Sequence, residues 1–470
     1  MTIIGWFVIP IGILVFSLRP LYLLPLMVIA SVFELSTVFN GAIGQFTFGV
    51  SAFAFLQILI ILRFFMDIAG QWNLLPPKTS PARNISVPLI VFLVWAFSSA
   101  FVMPRLFAGL SIVSPREAND SYFVLAPLQW SWSNFAQAGY MALNILTMFY
   151  AFRVVKTEKQ SRKLCTAFQI AALVVTVAAF VQYISPSLYP YELLNSSPAE
   201  YKGSDQELYG FLRVTGTFGE PSSAGSFLSA AAIGMLASYL AGRRGLLAIV
   251  GLVSILLALL FTTSTTGYLA FVVLGCYLLF YFRQPKNSKR GWVTILAIVF
   301  AVPLLILTAL RLKPELLDAF LSVTTEKTGT NSFIARLLSD AYALDIFKDT
   351  WGIGAGLGSS RSSSLVSTFL SCLGIVGVCL LVTVFYRMRK LFPGKSAPPF
   401  LQLTAWAFVG LILAGAIGFP DVNRPPLWAL FTVVACQLNV RAESFARVMK
   451  RSPIELSVGL GENPGVAPAN

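Results

Sequence analysis

Long apolar runs that almost exclude charge constrain this chain more than any other feature in it. Stretches such as LLAIVGLVSILLALLF from Leu246 to Phe261 and PFLQLTAWAFVGLILAGAIG from Pro399 to Gly418 approach the length that crosses a bilayer. With 56% hydrophobic and 11% charged residues and a mean hydropathy of +0.76, the chain carries more apolar surface than one soluble core of 470 residues can hide. In hydrocarbon every backbone polar group must be bonded internally, which leaves helices or a closed barrel. The alternation of a barrel, in segments of about ten residues, is absent. The expected fold class is therefore an all-α polytopic membrane protein.

Apolar spans are expected near residues 3–18, 20–38, 46–62, 85–103, 133–152, 164–184, 222–240, 246–262, 265–282, 292–310, 364–386, 399–419 and 426–440. That makes about 13 transmembrane helices, within a range of about 12 to 14, because span ends are poorly fixed by composition. The first run is followed at once by another and lacks a small-residue cleavage site, so it reads as a retained helix. The expectation is one transmembrane domain over residues 1–451, no soluble domain, and a flexible cytoplasmic tail over 452–470.

A net charge of +14 would suggest nucleic acid in a soluble protein, but 23 of the 34 Lys and Arg sit in short connections on one side of these spans. They mark that side as cytoplasmic, the C-terminus included. The opposite side holds the long loops 104–132, 185–221 and 311–363. With Glu34 and Asp421 at span ends, these loops carry 15 of the 20 acids. All five cysteines fall in expected spans, and the chain has no histidine, no D-x-D and no acid cluster with metal spacing. Neither a disulfide framework nor a cofactor or metal is expected.

Among the long loops, Arg213 to Leu228 (RVTGTFGEPSSAGSFL) runs through Gly216 and Gly219 into an apolar helix. Glu220-Pro221-Ser222-Ser223 reads as a helix start, where Pro costs no hydrogen bond and open N–H groups attract anions. Arg213 and Glu220 can serve as phosphate clamp and general base, with Gly219 and Ser222 beside the ligand; equally, they can pair with each other or with lipid headgroups. In the third loop, Pro314 to Leu321 suits a helix on the bilayer surface, and Ser332 to Lys348 suits a second helix. There Arg336 and Asp340, four residues apart, can form a diphosphate site or an ordinary surface ion pair. Gly352, Gly354, Gly356 and Gly358 lead to Arg361. They lack nucleotide-loop spacing and suit either a backbone that brings Arg361 to a ligand or close helix packing. The hydroxyl-rich 262–267 (TTSTTG) suits sugar contact or a satisfied membrane turn.

At these residues the chain resembles the bacterial O-antigen ligase and Wzy-type polysaccharide polymerase family. The resemblance rests on R-x-x-G-T-F-G-E-P-S-x-x-G-x-F-L at Arg213 to Leu228 and on T-T-S-T-T-G at 262–267. It also includes F-I-A-R-L…D-x-W-G-I-G-A-G-L-G between Phe333 and Gly358, and L-G-I-V-G at 373–377. It implies an inner-membrane, metal-independent glycosyltransferase whose active site faces the periplasm, with a bundle similar to other lipid-donor membrane glycosyltransferases. The implied partners are undecaprenyl-diphosphate-linked oligosaccharides as donor and acceptor, the bilayer, and a chain-length regulator. Arg213 and Arg336 would hold the departing diphosphate; by their own positions in the sequence, Asp340 can orient Arg336 and Arg361 can join them. Ligases commonly carry His-Asn where this chain has Ser363 and Ser364, which favours the polymerase branch and leaves the base unassigned. Glu220 is the first choice for it, then Asp340 and Glu34. A ligase with another acceptor and a transporter of lipid-linked sugars are the alternatives.

Overall fold

The computed structural model describes residues 1–43, 46–69, 75–76, 80–115, 124–198, 207–208, 211–282, 331–389 and 391–458. Among them the chain is mostly helical. The N-terminal half contains α1 (Ile3–Leu18), α2 (Leu23–Ala30), α3 (Ala52–Ile68), α4 (Pro81–Leu106), α5 (Trp132–Val154), α6 (Glu158–Ile184) and the single turn α7 (Tyr191–Leu194). There follow α8 (Pro221–Leu240), α9 (Leu246–Phe261), α10 (Thr265–Tyr281), α11 (Asn331–Asp349), α12 (Leu365–Arg389, with a π turn at Phe369–Leu373), α13 (Pro399–Gly418) and α14 (Pro425–Val458). Five of these, α4, α6, α8, α12 and α13, are long and apolar enough to cross a membrane, and α1, α9 and α10 are shorter apolar helices. This is the make-up of a helical membrane protein.

Two of the expected spans take a different form. Residues 20–38 yield only a 3-10 turn and the eight-residue α2, and residues 37–51 form an antiparallel hairpin of β1 (Thr37–Ile43) and β2 (Phe46–Ser51), pairing Asn40 with Gly49. The physical reason is composition: Thr37, Val38, Phe39, Ile43, Thr47, Phe48 and Val50 are β-formers flanking glycines. Two smaller hairpins pair β3 (Ser111–Val113) with β4 (Leu125–Pro127) and β5 (Glu207–Leu208) with β6 (Phe211–Leu212). The helix α14 runs on through Arg451 to Val458. The expected span at 292–310, the surface helix at 314–321 and residues 459–470 lie outside the described residues.

The centre of the bundle is α8, whose residues are almost all buried. Its sequence, PSSAGSFLSAAAIGMLASYL, is rich in Ser, Ala and Gly, and small side chains let helices close in where hydrocarbon supplies no hydrophobic drive. One such close approach is to the start of α10. A Cβ on Gly267 would lie 2.6 Å from the Gly225 carbonyl oxygen, and one on Gly225 would lie 2.4 Å from Cβ of Ser264. Thr262, Thr263, Ser264 and Thr266 are correspondingly buried. Within that strip Thr262 donates to the Leu259 carbonyl (2.6 Å) and Ser264 caps α10 by accepting from Gly267 N–H (3.3 Å). The strip thus satisfies a membrane turn.

One end of the bundle gathers basic connections. Lys163 at the start of α6 reaches the Tyr22 hydroxyl (2.8 Å), Arg162 lies 4.7 Å over the Phe400 ring, and Arg387 at the end of α12 donates to the Asn84 carbonyl (2.9 Å). The other end collects the C-termini of α2 and α13, the N-termini of α5, α8, α12 and α14, and the segments between them.

Candidate functional site

A cleft of 360 Å³ opens at that second end. Its charged lining comes from five places far apart in sequence: Glu34 after α2, Glu220 before α8, Arg336 on α11, Arg361 before α12, and Asp421 between α13 and α14. Hydroxyl and amide groups, among them Ser222, Ser223, Ser363 and Gln137, share the rest of the lining with apolar residues such as Leu35 and Phe419.

The Arg213 to Leu228 segment is held by a buried amide. Gln182 Oε1 of α6 accepts from the N–H groups of Thr215 (2.9 Å) and Gly216 (3.0 Å), while the Tyr189 hydroxyl donates to the Gly216 carbonyl. Further on, Thr217 donates to the Val32 carbonyl (2.6 Å), and Gly219 N–H to Oε2 of Glu34 (3.4 Å). This brings Glu34 beside Glu220, which stands at the N-cap of α8 and accepts from the Ser222 hydroxyl (2.9 Å). Glu34 is itself fixed from the far side. Ser36 donates to the Leu194 carbonyl (2.9 Å), Asn40 to that of Ser196 (2.8 Å), and Ser197 N–H to that of Leu35 (2.9 Å).

The two cleft arginines arrive together. Asp340 of α11 accepts from the N–H (2.9 Å) and hydroxyl (2.5 Å) of Ser363, so it ties the helix that carries Arg336 to the segment that carries Arg361. The backbone of that segment is seated by Arg361 N–H donating to the Val113 carbonyl of β3 (3.2 Å) and by Asn134 of α5 donating to the Leu357 carbonyl (2.8 Å). Gly358 passes so near α5, at φ +81°, that a Cβ would come within 2.8 Å of the Ser133 carbonyl oxygen. Only glycine accommodates both that angle and that approach. The glycine run packs closely, and Arg361 follows it into the lining of the cleft.

The floor is electrostatically unusual. Burial holds the carboxyls of Glu34 and Asp421 above their ordinary values, with Arg424 opposing the shift at each. Arg424 is 2% exposed and faces Glu34, Asp421 and Glu220. Asn423, beside it, donates to Gln137 Oε1 (2.7 Å) and accepts from Asn144 (3.1 Å), whose own Oδ1 accepts from Gln57 (2.9 Å). A chain of buried amides thus runs from α3 through α5 to the cleft.

Of the residues singled out from sequence, Glu220, Arg336, Arg361, Gly219 and Ser222 line one cleft, and Asp340 braces it from behind. Arg213 is not among the lining residues. Its Nε donates to Thr263 Oγ1 (2.9 Å), at the α9–α10 turn where Thr263 adopts φ +47°, so it braces a strained turn behind α8. Asp421 was visible only as an acid at a span end, and Arg424 was not singled out. The signal for Arg424 was a cation directly before Pro425-Pro426 at a helix N-terminus, against the helix dipole.

Fold and cleft together define a helical membrane protein with an arginine- and carboxylate-lined site at one end of the bundle. No protein-family model matches the chain, and no curated protein is found to match it.

Proposed function

We propose that the protein is a periplasmic-face polymerase of undecaprenyl-diphosphate-linked oligosaccharide repeats, of the Wzy type, in the bacterial inner membrane. The observation that carries this reading is the shared cleft, in which Arg336 and Arg361 face Glu34, Glu220 and Asp421 at the end of the bundle opposite the basic connections. By the positive-inside rule the basic end is cytoplasmic, and the cleft then opens outside. Two guanidinium forks suit a diphosphate whose charge grows as it departs, and carboxylates opposite suit a sugar hydroxyl.

The growing glycan on its lipid diphosphate is the donor, and a hydroxyl of the incoming lipid-linked repeat is the acceptor. The hydroxyl oxygen bonds to the anomeric carbon as the bond from that carbon to the phosphate oxygen breaks, inverting configuration. The electron pair leaves with undecaprenyl diphosphate, neutralised by Arg336 and Arg361. The hydroxyl proton passes to a floor carboxylate. Glu34, lifted toward the useful range by burial, is the better acceptor, while Glu220 orients the hydroxyl. Serine at 363 and 364, with no histidine in the chain, favours this branch over ligation.

The test is to supply the purified protein in nanodiscs with the lipid-linked repeat of its source strain, without nucleotide or metal. A ladder of lipid-linked products, lost in Arg336→Ala and Arg361→Ala, is expected. A folded wild type that makes no ladder overturns the reading.

A further inference from the structure

A guanidinium buried among three carboxylates at the floor of a membrane protein has no ordinary stability rationale. Burying such a cluster costs more than packing apolar side chains of the same volume, and ionisable groups at such depth are retained for function. Arg424 makes contacts that explain its place. Its Nη2 donates to the Ser223 carbonyl in the first turn of α8 (2.6 Å), and its guanidinium carbon lies 3.8 Å from the centre of the Phe419 ring and 5.7 Å from that of Phe218. One side chain therefore touches the turn that carries Asp421, the loop that leads to Glu220, and the helix that Glu220 caps.

We infer that Arg424 is a positioning residue: it clamps the 419–424 turn onto the start of α8 and so sets how Glu34, Glu220 and Asp421 stand around the acceptor hydroxyl. This inference rests on the transferase reading of the same cleft. Three different segments converge on Arg424, and without it the carboxylates would lose the buried cation that faces all three of them. The groups facing those carboxylates are Arg424 itself, Arg361 from the segment before α12, Tyr140 of α5, and the hydroxyls of Ser222 and Ser223. Arg424 would not bind the diphosphate, which lies with Arg336 and Arg361. Its loss should lower turnover and leave substrate affinity largely intact.

The test compares wild type, Arg424→Met and Arg424→Lys in nanodiscs. It measures turnover and KM on the lipid-linked repeat across pH and, separately, carboxyl protonation by infrared titration, assigned with Glu34→Gln and Asp421→Asn. For Arg424→Met, turnover should fall roughly 100-fold with KM nearly unchanged, the scale of loss when reacting groups are displaced by about an ångström. Its assigned carboxyls should titrate at higher pH than in wild type. Arg424→Lys should restore the wild-type titration and only part of the turnover, because it keeps the charge but loses the fork and the ring stacking. Wild-type turnover and titration in Arg424→Met would overturn the inference. Should wild type make no polymer, the transferase reading falls and the infrared arm decides alone: a shifted titration supports the clamp and an unmoved one refutes it. If Arg424→Met does not fold, Arg424→Lys decides, reduced turnover at unchanged KM supporting the clamp and a wild-type rate refuting it.

Discussion

At the scale of single residues, the cleft separates arginines by what they touch. Arg336 and Arg361 line it, whereas Arg213 donates to Thr263 behind α8. Removing either cleft arginine should cost roughly 100- to 1,000-fold in turnover, as for other groups that stabilise developing negative charge. Arg213→Lys, which can still reach Thr263, should retain most of the wild-type rate in the same assay. Glu34 makes a pH prediction with two signs. Its carboxyl is held high by burial, and a base must be unprotonated, so activity should rise with pH along a limb above the roughly 4.3 of a free glutamate. Stability runs the other way. A carboxyl whose folded pKa is raised contributes stability that is present below its unfolded pKa and lost as pH rises through the folded one. Glu34→Gln should therefore melt at a higher temperature than wild type at neutral pH and at a similar temperature in acid, by thermal denaturation in detergent. Glu34 was recognisable in the sequence as an acid at a span end. That it stands beside Glu220 was not, because the link is a hydrogen bond to Gly219 across more than 180 residues of chain.

Elements in this protein are positioned by small residues and buried amides. At the α8–α10 crossing, Gly267→Val would push a branched side chain against the Gly225 carbonyl, where even a Cβ would sit at 2.6 Å. Overpacking of this kind costs about 1–3 kcal/mol, visible as a lowered melting temperature with the span topology retained. In the amide chain, Asn144→Leu would leave Gln57 and Asn423 each short of a buried partner. About 1–3 kcal/mol is expected per unsatisfied group, and Gln57→Leu together with Asn144→Leu should recover part of the loss in a double-mutant cycle. Helix α11, Asn331–Asp349, was legible nearly to its ends from its apolar period. The β1–β2 hairpin was not, since a short apolar run with β-branched and aromatic residues suits a helix in a bilayer as well as a strand.

For the molecule as a whole, the separation of charge predicts its orientation. A cysteine replacing Arg244, after α8, should react with an impermeant maleimide only from the cytoplasmic side, and one replacing Ser187, after α6, only from the outside. Labelling of both from one side would refute the proposed orientation. Hydropathy and the distribution of Lys and Arg were enough, from sequence alone, to indicate a helical membrane protein. Both signals are local: a bilayer tests each segment of about twenty residues by itself, and basic residues are sorted connection by connection. The cleft is not local. Glu34, Glu220, Arg336, Arg361 and Asp421 become neighbours only because α8 packs closely enough against its partners to bring those helix ends together. Arg424 gains meaning only once Ser223, 201 residues away, lies within 2.6 Å of it. Which charges share a site was decided by packing, since contacts between distant segments exist only after the bundle has closed.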